Sequence, residues 1–265
     1  MNDISVEANG ETLRVLEAGR EGAPALFFFH SLGTSSELWR QQLDHFSATH
    51  RVIAMDCRGH GGSSNRGGFS VTACVADALA VLRARGVGRC VIIGLSMGGL
   101  MTAELASRMP QAGLQCAGMV LACSYRYAGG PQAQARIDST RALLSQQGMV
   151  AFARTYMTGT ACPSMPVESL EAMVKVIAGM KADDYLQTIS AILTHDAGPA
   201  LASVQDVPAL IISGDLDSRV PPDVLADLCR SVPQATHVKL QRAGHLANLE
   251  EPDSFNQALR RFVQG

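Results

Sequence analysis

The sequence predicts an α/β fold with a mostly parallel, doubly wound sheet, an antiparallel N-terminal edge and a helical insertion. Three observations lead to this prediction. Short, near-continuous apolar segments recur along the chain, which is typical of parallel strands covered on both faces. Helix-like segments alternate with them, as in doubly wound sheets. A more polar pair of segments precedes the first of the apolar segments.

The polar pair is predicted to form the antiparallel edge. Residues 4–8 and 11–17 are joined by Asn9-Gly10, a dipeptide that favours a two-residue hairpin. Six buried strands are predicted to follow: ALFFFH (25–30), RVIAMD (51–56), CVIIGL (90–95), MVLACS (119–124), PALIIS (208–213) and THVKLQ (236–241).

Helices are predicted between these strands from apolar spacing and terminal residues. They span 35–46, 70–86, 97–110 and 252–263. Ser35 and Ser36 are candidate N-caps of the first, because their hydroxyls can accept from free N–H groups. Gly86 suits the end of the second helix, and Pro252 suits the first turn of the last.

The alternation stops between residues 125 and 198. This stretch holds no strand-like segment but four helical patterns: PQAQARIDSTRALLSQQG, MVAFARTYM, VESLEAMVKVIAGM and DDYLQTISAILTHD. The strand pattern resumes at Val207. We therefore expect one core, residues 1–124 and 199–265, interrupted by a helical insertion at 125–198.

Composition excludes several classes of function. The 22 Lys and Arg residues are balanced by 24 Asp and Glu without a basic stripe, so nucleic acid is not expected as a partner. No apolar run reaches the ~18 residues of a membrane span, and the N-terminus lacks a signal-peptide pattern. We expect a cytoplasmic protein. The seven cysteines are irregularly spaced, which disfavours a disulfide framework or a zinc site.

A candidate nucleophile lies in the stretch GLSMGG. Gly94 to Gly98 fit the pattern G-x-S-x-G, with a predicted strand before it and a predicted helix after it. Such a serine sits on a sharp turn that exposes its hydroxyl, and small residues on either side prevent clashes. Ser96 could instead cap a glycine-rich helix start, but the strand–turn–helix context favours a nucleophile.

A nucleophilic serine needs a base and a group that orients the base. In a fold of this kind the chain order is serine, acid, histidine. Of the histidines near the end of the chain, His237 lies inside a predicted strand, whereas His245 lies in the loop before the last helix. That loop faces the same sheet edge as Ser96, so His245 is the predicted base. Asp215 and Asp217 both follow the preceding strand, and spacing alone leaves both open as the acid.

An oxyanion site is predicted from two backbone N–H groups. One belongs to Met97, after the serine, and the other to Leu32, in the loop HSLGTSSELW. We expect His30 to be a structural histidine in that loop. A second polar loop, DCRGHGGSS, lacks the motifs of a nucleotide site, and its Asp56, Arg58 and His60 are expected to support the active-site loops.

Five segments in the same order resemble the α/β-hydrolase family: HSLGTSSELW, DCRGHGGSS, GLSMGG, GDLDSRVPP and AGHLANLEEP. The resemblance covers nearly the whole chain. It implies that Asp217, the second aspartate of the G-D-x-D segment, is the acid. It also implies that residues 125–198 form a cap domain over the pocket.

Within that family the chain is most similar to 3-oxoadipate enol-lactonases and related carboxylesterases, on SLGTSSELW, DCRGHGGSS, GLSMGGL and ARIDSTRALLSQQGM. His30 is a departure, since these lactonases more often have Asn or Ser there. The resemblance implies hydrolysis of a small-molecule ester or lactone through an acyl-enzyme, without cofactor or metal. The same triad also serves perhydrolases and C–C bond hydrolases, and a non-catalytic ligand-binding protein can share the fold.

Substrate contacts are predicted from the same resemblance. An enol-lactone substrate carries a carboxylate, for which an arginine is the natural partner. Arg136 is the first candidate, with Arg126 and Arg154 as rivals. Trp39, Tyr125, Tyr127 and Met97 are predicted to line an apolar pocket, although core packing is an equally ordinary role for Trp39 and Met97.

Overall fold

The computed structural model describes residues 1–264 and contains an eight-stranded sheet. Its strands are β1 (Asn2–Ala8), β2 (Glu11–Ala18), β3 (Ala25–Phe29), β4 (Arg51–Met55), β5 (Arg89–Leu95), β6 (Gln115–Ala122), β7 (Ala209–Gly214) and β8 (Thr236–Leu240). Their order across the sheet is β1-β2-β4-β3-β5-β6-β7-β8. Strand β2 is antiparallel to both of its neighbours, and all other neighbouring pairs are parallel. The predicted α/β class with an antiparallel N-terminal edge is therefore confirmed.

The N-terminal hairpin turns at the predicted dipeptide. Asn9 has a φ of 51° and Gly10 a φ of 78°, and a type I′ turn requires positive φ at both positions. The turn aligns β1 with β2 from Asn2 opposite Glu17 to Ala8 opposite Glu11.

The helices are α1 (Arg40–Phe46), α2 (Val71–Ala84), α3 (Met97–Arg108), α4 (Ala133–Thr158), α5 (Val167–Ala178), α6 (Ala182–Thr194), α7 (Gly198–Ala202), α8 (Pro222–Ser231), α9 (Ala247–Glu250) and α10 (Pro252–Gln264). A short 3-10 helix, Ser36–Trp39, precedes α1, and the Ser35 hydroxyl caps it by accepting from the Glu37 N–H. Within residues 1–264, no helix combines the length and the apolar character that crossing a bilayer would demand.

The strands are apolar because helices cover both faces of the sheet. In β3, Phe27 and Phe29 belong to the apolar cluster that includes α2 and α3. Leu26 and Phe28 point the other way, into the cluster formed with α1 and α10. Burial on both faces explains why the strand segments read as continuous apolar runs.

Helices α4 to α6, which we call the inserted helices, lie between β6 and β7 in the sequence. The two ends of this segment lie side by side, since the Ala197 N–H donates to the Arg126 carbonyl oxygen at 3.1 Å. Helix α4 is broken at Gly148, whose φ of 71° and ψ of 171° are not helical. The inserted helices contact the loops at the carboxyl edge of the sheet.

Candidate active site

Ser96 lies on a sharp turn between β5 and α3. Its φ of 56° and ψ of −115° are unusual for a residue with a side chain. The turn is possible because the residues two positions before and two positions after Ser96 are glycines. A Cβ on Gly94 would lie 2.1 Å from the Gly98 carbonyl oxygen, and a Cβ on Gly98 would lie 2.5 Å from the Phe29 carbonyl oxygen.

The backbone of Ser96 is held on both sides. Its N–H donates to the Ala122 carbonyl oxygen at 2.8 Å. Its carbonyl oxygen accepts from the Gly99 N–H at 2.9 Å and from the Ser124 hydroxyl at 2.8 Å. A Cβ on Gly99 would lie 2.0 Å from the Ser124 Oγ, so this glycine makes room for the hydroxyl. Sequence reasoning missed Ser124, because a hydroxyl that binds a backbone carbonyl leaves no motif.

The structure brings Ser96, His245 and Asp217 into one hydrogen-bonded row. Ser96 follows β5, Asp217 follows β7 and His245 follows β8. The Ser96 Oγ is 2.9 Å from the His245 Nε2, and the His245 Nδ1 is 3.0 Å from both Asp217 carboxylate oxygens. A carboxylate only accepts, so Nδ1 carries the proton and Nε2 is free to accept from the serine hydroxyl. This arrangement can remove the proton from Ser96.

Asp217 is ionised in this setting. Burial raises the pKa of its carboxyl, but the hydrogen bond from His245, the positive charge of His245 when it is protonated, and two backbone N–H groups lower it by more. The pKa therefore lies below the ordinary value for aspartate. The two N–H donors are those of Arg219 at 2.8 Å and Val220 at 3.2 Å, both to Oδ1.

The competing candidates lie outside this row. Asp215 is exposed and accepts from the Lys239 ammonium at 2.6 Å. His237 is exposed on β8, where its Nε2 is 2.8 Å from the Ser213 hydroxyl oxygen. The geometry thus favours Asp217 over Asp215 and His245 over His237.

The two predicted oxyanion donors are the N–H groups of Met97 and Leu32. Met97 follows Ser96 in the chain, and Leu32 lies in the loop after β3. Among the residues described, neither the Leu32 N–H nor the Met97 N–H donates to a protein acceptor. The loop around Leu32 is held by His30, whose Nδ1 donates to the Ser31 carbonyl oxygen at 2.8 Å and whose Nε2 accepts from the Cys57 N–H at 3.0 Å. Burial lowers the pKa of His30. These bonds match the expected structural role of His30.

The second polar loop is fixed by its own charged side chains. The Asp56 carboxylate accepts from the Ser36 N–H at 2.6 Å and from the Gly62 N–H at 2.8 Å. Arg58 makes a two-point ion pair with Asp77, with both N–O distances at 2.8 Å. Asp56 therefore ties this loop to the start of the 3-10 helix, and Arg58 ties it to α2.

Trp39 lies in the core instead of at the surface of a pocket. It is fully buried, and its ring packs against Phe28 at 5.1 Å and Phe255 at 5.9 Å between centroids. This packing between β3 and α10 corrects the prediction that Trp39 lines the substrate pocket. Met97 is also fully buried, whereas Tyr125 follows Ser124 directly and keeps 8% of its surface exposed.

The three candidate arginines differ in their partners. Arg126 is paired with Asp196 and Asp227, and Arg154 with Glu171. Arg136 is exposed near the start of α4 and donates only to the Ala128 carbonyl oxygen, at 3.4 Å. In residues 1–264 no carboxylate pairs with Arg136.

Burial raises the pKa of Tyr125, and the charge of Arg136 acts against that rise. Burial also raises the pKa of Tyr156 and Tyr185, and the charge of Arg219, followed by that of Arg136, acts against the rise. The fourth tyrosine, Tyr127, is 38% exposed.

An aromatic cluster of the inserted helices lies against the loop after β3, and sequence reasoning missed it. Phe152 packs against Tyr185 at 5.0 Å and against Tyr156 at 6.0 Å, and the two tyrosine rings are 6.3 Å apart. A Cβ on Gly33 would lie 3.0 Å from the Tyr185 Cε2. All four tyrosines of the chain lie between residues 125 and 198, but no periodicity tells which helix faces the sheet edge, so the sequence alone does not predict the cluster.

The remaining reactive side chains do not form a metal centre. All seven cysteines are free thiols, and three of them are partly exposed. Over the described range 1–264, no group of three or more His, Cys, Asp or Glu side chains is placed to hold a metal ion.

Comparison with known proteins points to one family. The sequence model of the alpha/beta hydrolase fold matches residues 24–252. The chain is 31% identical to 3-oxoadipate enol-lactonase 2 of Acinetobacter baylyi over 98% of this chain and 96% of that protein. The crystal structure of the enol-lactonase from Burkholderia xenovorans superposes with a TM-score of 0.86 at 26% identity, covering 99% and 100% of the two chains. A thermophilic esterase from Thermogutta terrifontis shares the fold, with a TM-score of 0.86 at 23% identity over 100% and 98%.

Proposed function

Because the chain belongs to the α/β-hydrolase family, we propose that it is a serine hydrolase that cleaves a carboxylic ester or lactone of a small molecule. The observation that carries the proposal is the 2.9 Å contact between the Ser96 Oγ and the His245 Nε2, with Asp217 behind the imidazole. The similarity to enol-lactonases supports the substrate class.

In the proposed mechanism His245 takes the Ser96 proton as Oγ bonds to the carbonyl carbon. Asp217 holds the imidazole and stabilises its charged form. The carbonyl oxygen becomes an oxyanion, which the Leu32 and Met97 N–H groups stabilise, each contributing ~3 kcal/mol. His245 then gives its proton to the leaving oxygen as the bond between that oxygen and the carbonyl carbon breaks. The product of this step is an acyl-enzyme on Ser96. Water attacks that ester with His245 as base, releasing the acid and restoring Ser96.

We propose that residues 125–198 act as a cap over this site, with residues 1–124 and 199–265 as the core. Contacts of the inserted helices with Gly33 support this assignment. The low exposure of the site does so too, since Ser96 is 6% exposed and His245 3%. A covered serine favours small substrates that fit beneath the helices.

A carboxylated lactone is the favoured substrate within this class, with Arg136 as the group that binds its carboxylate. The support is that Arg136 has no carboxylate partner among the residues described, whereas its rivals Arg126 and Arg154 are paired with carboxylates. Arg136→Ala should raise KM for an enol-lactone about tenfold or more, because a charge-assisted hydrogen bond is lost. Rates on p-nitrophenyl acetate should stay within twofold, and Arg141→Ala, an exposed arginine of the same helix, serves as the control. Equal losses on both substrates would discard this role.

The decisive experiment is hydrolysis of p-nitrophenyl acetate by wild type and Ser96→Ala. We expect the variant to fall to at most about a thousandth of the wild-type rate, because no other group replaces the nucleophile. Trapping of an acyl group on Ser96, detected by mass spectrometry, tests the acyl-enzyme. Equal rates in the two proteins would overturn the proposal.

A further inference from the structure

We propose that Arg219 is a positioning residue that fastens the loop of the catalytic acid to the inserted helices. It lies two residues after Asp217 and, in residues 1–264, has no carboxylate partner. Its side chain is instead directed at the end of α4. The inference rests on the proposed function, since it concerns how the triad and its cover are held together.

On the core side, the contact is made by the backbone of Arg219. Its N–H donates to the Asp217 Oδ1 at 2.8 Å, and the next N–H, that of Val220, donates to the same oxygen at 3.2 Å. These bonds fix the carboxylate that holds His245. Because they come from the main chain, they survive replacement of the Arg219 side chain.

On the helix side, the contact is made by the guanidinium. Its Nε donates to the Thr160 Oγ1 at 3.0 Å, and its Nη2 donates to the same oxygen at 2.5 Å and to the Tyr156 carbonyl oxygen at 3.3 Å. The guanidinium carbon also lies 4.8 Å from the centre of the Tyr156 ring. Carbonyls in the last turn of a helix lack partners within the helix, and a cation is favourable there. Arg219 therefore holds the C-terminal end of α4.

The connection continues from α4 to the oxyanion loop. The Tyr156 ring packs against Tyr185 with centroids 6.3 Å apart, and Tyr185 fills the space next to Gly33. Gly33 follows Leu32, the proposed oxyanion donor. One side chain thus supports the aromatic rings over the site, while its own backbone orients the acid. Loss of the side chain should loosen the cover and leave the acid in place.

Other contacts keep the inserted helices attached when this one is removed. Asn65 donates to Asp184 at 2.6 Å, and His195 lies 3.0 Å from Glu104 of α3. The effect of replacing Arg219 should therefore be confined to the end of α4. This locality separates a positioning role from a general loss of stability.

The test combines hydrogen exchange with steady-state kinetics on Arg219→Ala, Arg219→Lys and the control Arg141→Ala. In Arg219→Ala we expect amides of residues 149–160 to exchange about tenfold faster, with the central strands unchanged. KM for a small ester should rise about tenfold, with kcat within about threefold, because the backbone donors to Asp217 remain. The exchange rates and the KM of Arg219→Lys should lie between those of wild type and Arg219→Ala, because an ammonium reaches one acceptor and does not provide a planar fork. The control should match wild type in both readouts.

Unchanged exchange in 149–160 would overturn the inference, as would a fall in kcat at constant KM, which would mean that Arg219 acts on the acid alone. If Arg219→Ala does not fold, Thr160→Val removes the shared acceptor and should give the same local exchange. The exchange readout is independent of ester hydrolysis. Equal ester hydrolysis by Ser96→Ala and wild type would therefore reject the proposed reaction. It would not decide the role of Arg219, which hydrogen exchange tests separately.

Discussion

Ser96 keeps a backbone conformation that costs energy, and its neighbours hold it there. Its N–H and carbonyl oxygen are both bonded, and glycines stand where a side chain would clash. The strain aims the hydroxyl at His245. Strained residues of this kind persist only where the surrounding structure determines them.

The crowding at this turn gives a stability prediction. Gly98→Ala places a Cβ 2.5 Å from the Phe29 carbonyl oxygen, so backbone must shift and the free energy of unfolding should fall by roughly 1–3 kcal/mol. Gly88→Ala is the matched control, because a Cβ there meets nothing within 4 Å. Urea unfolding monitored by circular dichroism measures both. Equal stability of the two variants would contradict the crowding argument.

The two aspartates of one loop should respond differently to the same substitution. Asp217→Asn should lower kcat on the order of 10⁴-fold, because the amide disfavours the imidazole tautomer that accepts from Ser96. Asp215→Asn should stay within twofold, since its only described ion-pair partner is the exposed Lys239. Initial rates on a chromogenic ester compare them. A larger loss in Asp215→Asn would reverse the assignment of the acid.

The lowered pKa of Asp217 also predicts how stability depends on pH. A carboxyl whose pKa is lower in the folded state stabilises the fold above its unfolded pKa, about 3.9, and loses this contribution as the pH falls through the folded value. The stability difference between wild type and Asp217→Asn should therefore be largest near neutral pH and shrink below about pH 4. Urea unfolding from pH 7 to pH 3 measures it. A difference that stays constant over this range would exclude the linkage.

Among individual residues, the sequence predicts those that belong to a recognisable motif. Ser96 and His245 follow from the G-x-S-x-G pattern and from chain order. Asp215 and Asp217 could not be separated by spacing, because both follow the same strand, and only the resemblance and the hydrogen bonds distinguish them. Ser124 and Arg219 carry no motif, since their side chains contact residues remote in sequence: the Ser96 carbonyl oxygen for Ser124, and Thr160 and Tyr156 for Arg219.

At the scale of elements, the inserted helix α4 consists of two pieces. Sequence patterns predict two helical segments that meet at Gly148, and the structure breaks α4 at that residue. The first piece carries Arg136, and the second carries Tyr156.

The break predicts the effect of a small substitution. A Cβ at Gly148 meets nothing within 4 Å, but the φ of 71° is unfavourable for alanine. Gly148→Ala should therefore lower the free energy of unfolding by about 1 kcal/mol through backbone strain alone. Gly179→Ala has an ordinary φ of −79° and should change it by less than about 0.5 kcal/mol. Thermal unfolding compares them, and a stabilised Gly148→Ala would show that the break is not needed.

Element boundaries were harder to predict where the chain is polar. Strand β6 begins at Gln115, four residues before the predicted 119, because its first residues pair with the exposed start of β5 and lack an apolar pattern. Helix α8 is absent from the sequence prediction although its ends carry helix signals, with Pro222 in the first turn, Asp223 beside it and Arg230 in the last turn.

At the scale of the whole molecule, the parallel sheet brings the site together. The segments after β3, β5, β7 and β8 supply Leu32, Ser96, Asp217 and His245, and all of them leave the same edge of the sheet. Residues 149 apart in sequence therefore meet at 2.9 Å. This convergence could be predicted from the order of strands and loops, whereas the aromatic cover could not, because no periodicity tells which helix faces the edge.

The hydrogen bond between Ala197 and Arg126 has a consequence for how such a protein can change. The chain leaves the sheet and returns to it at adjacent points. The free energy of closing the inserted segment therefore depends only weakly on its length. A longer, shorter or unrelated helical segment could be spliced between these two residues without moving β6 or β7. Under the proposal that the inserted helices cover the site, chemistry and selectivity would then be inherited as separate parts: the reacting groups stay in the segments that follow the strands, and the inserted segment is exchanged.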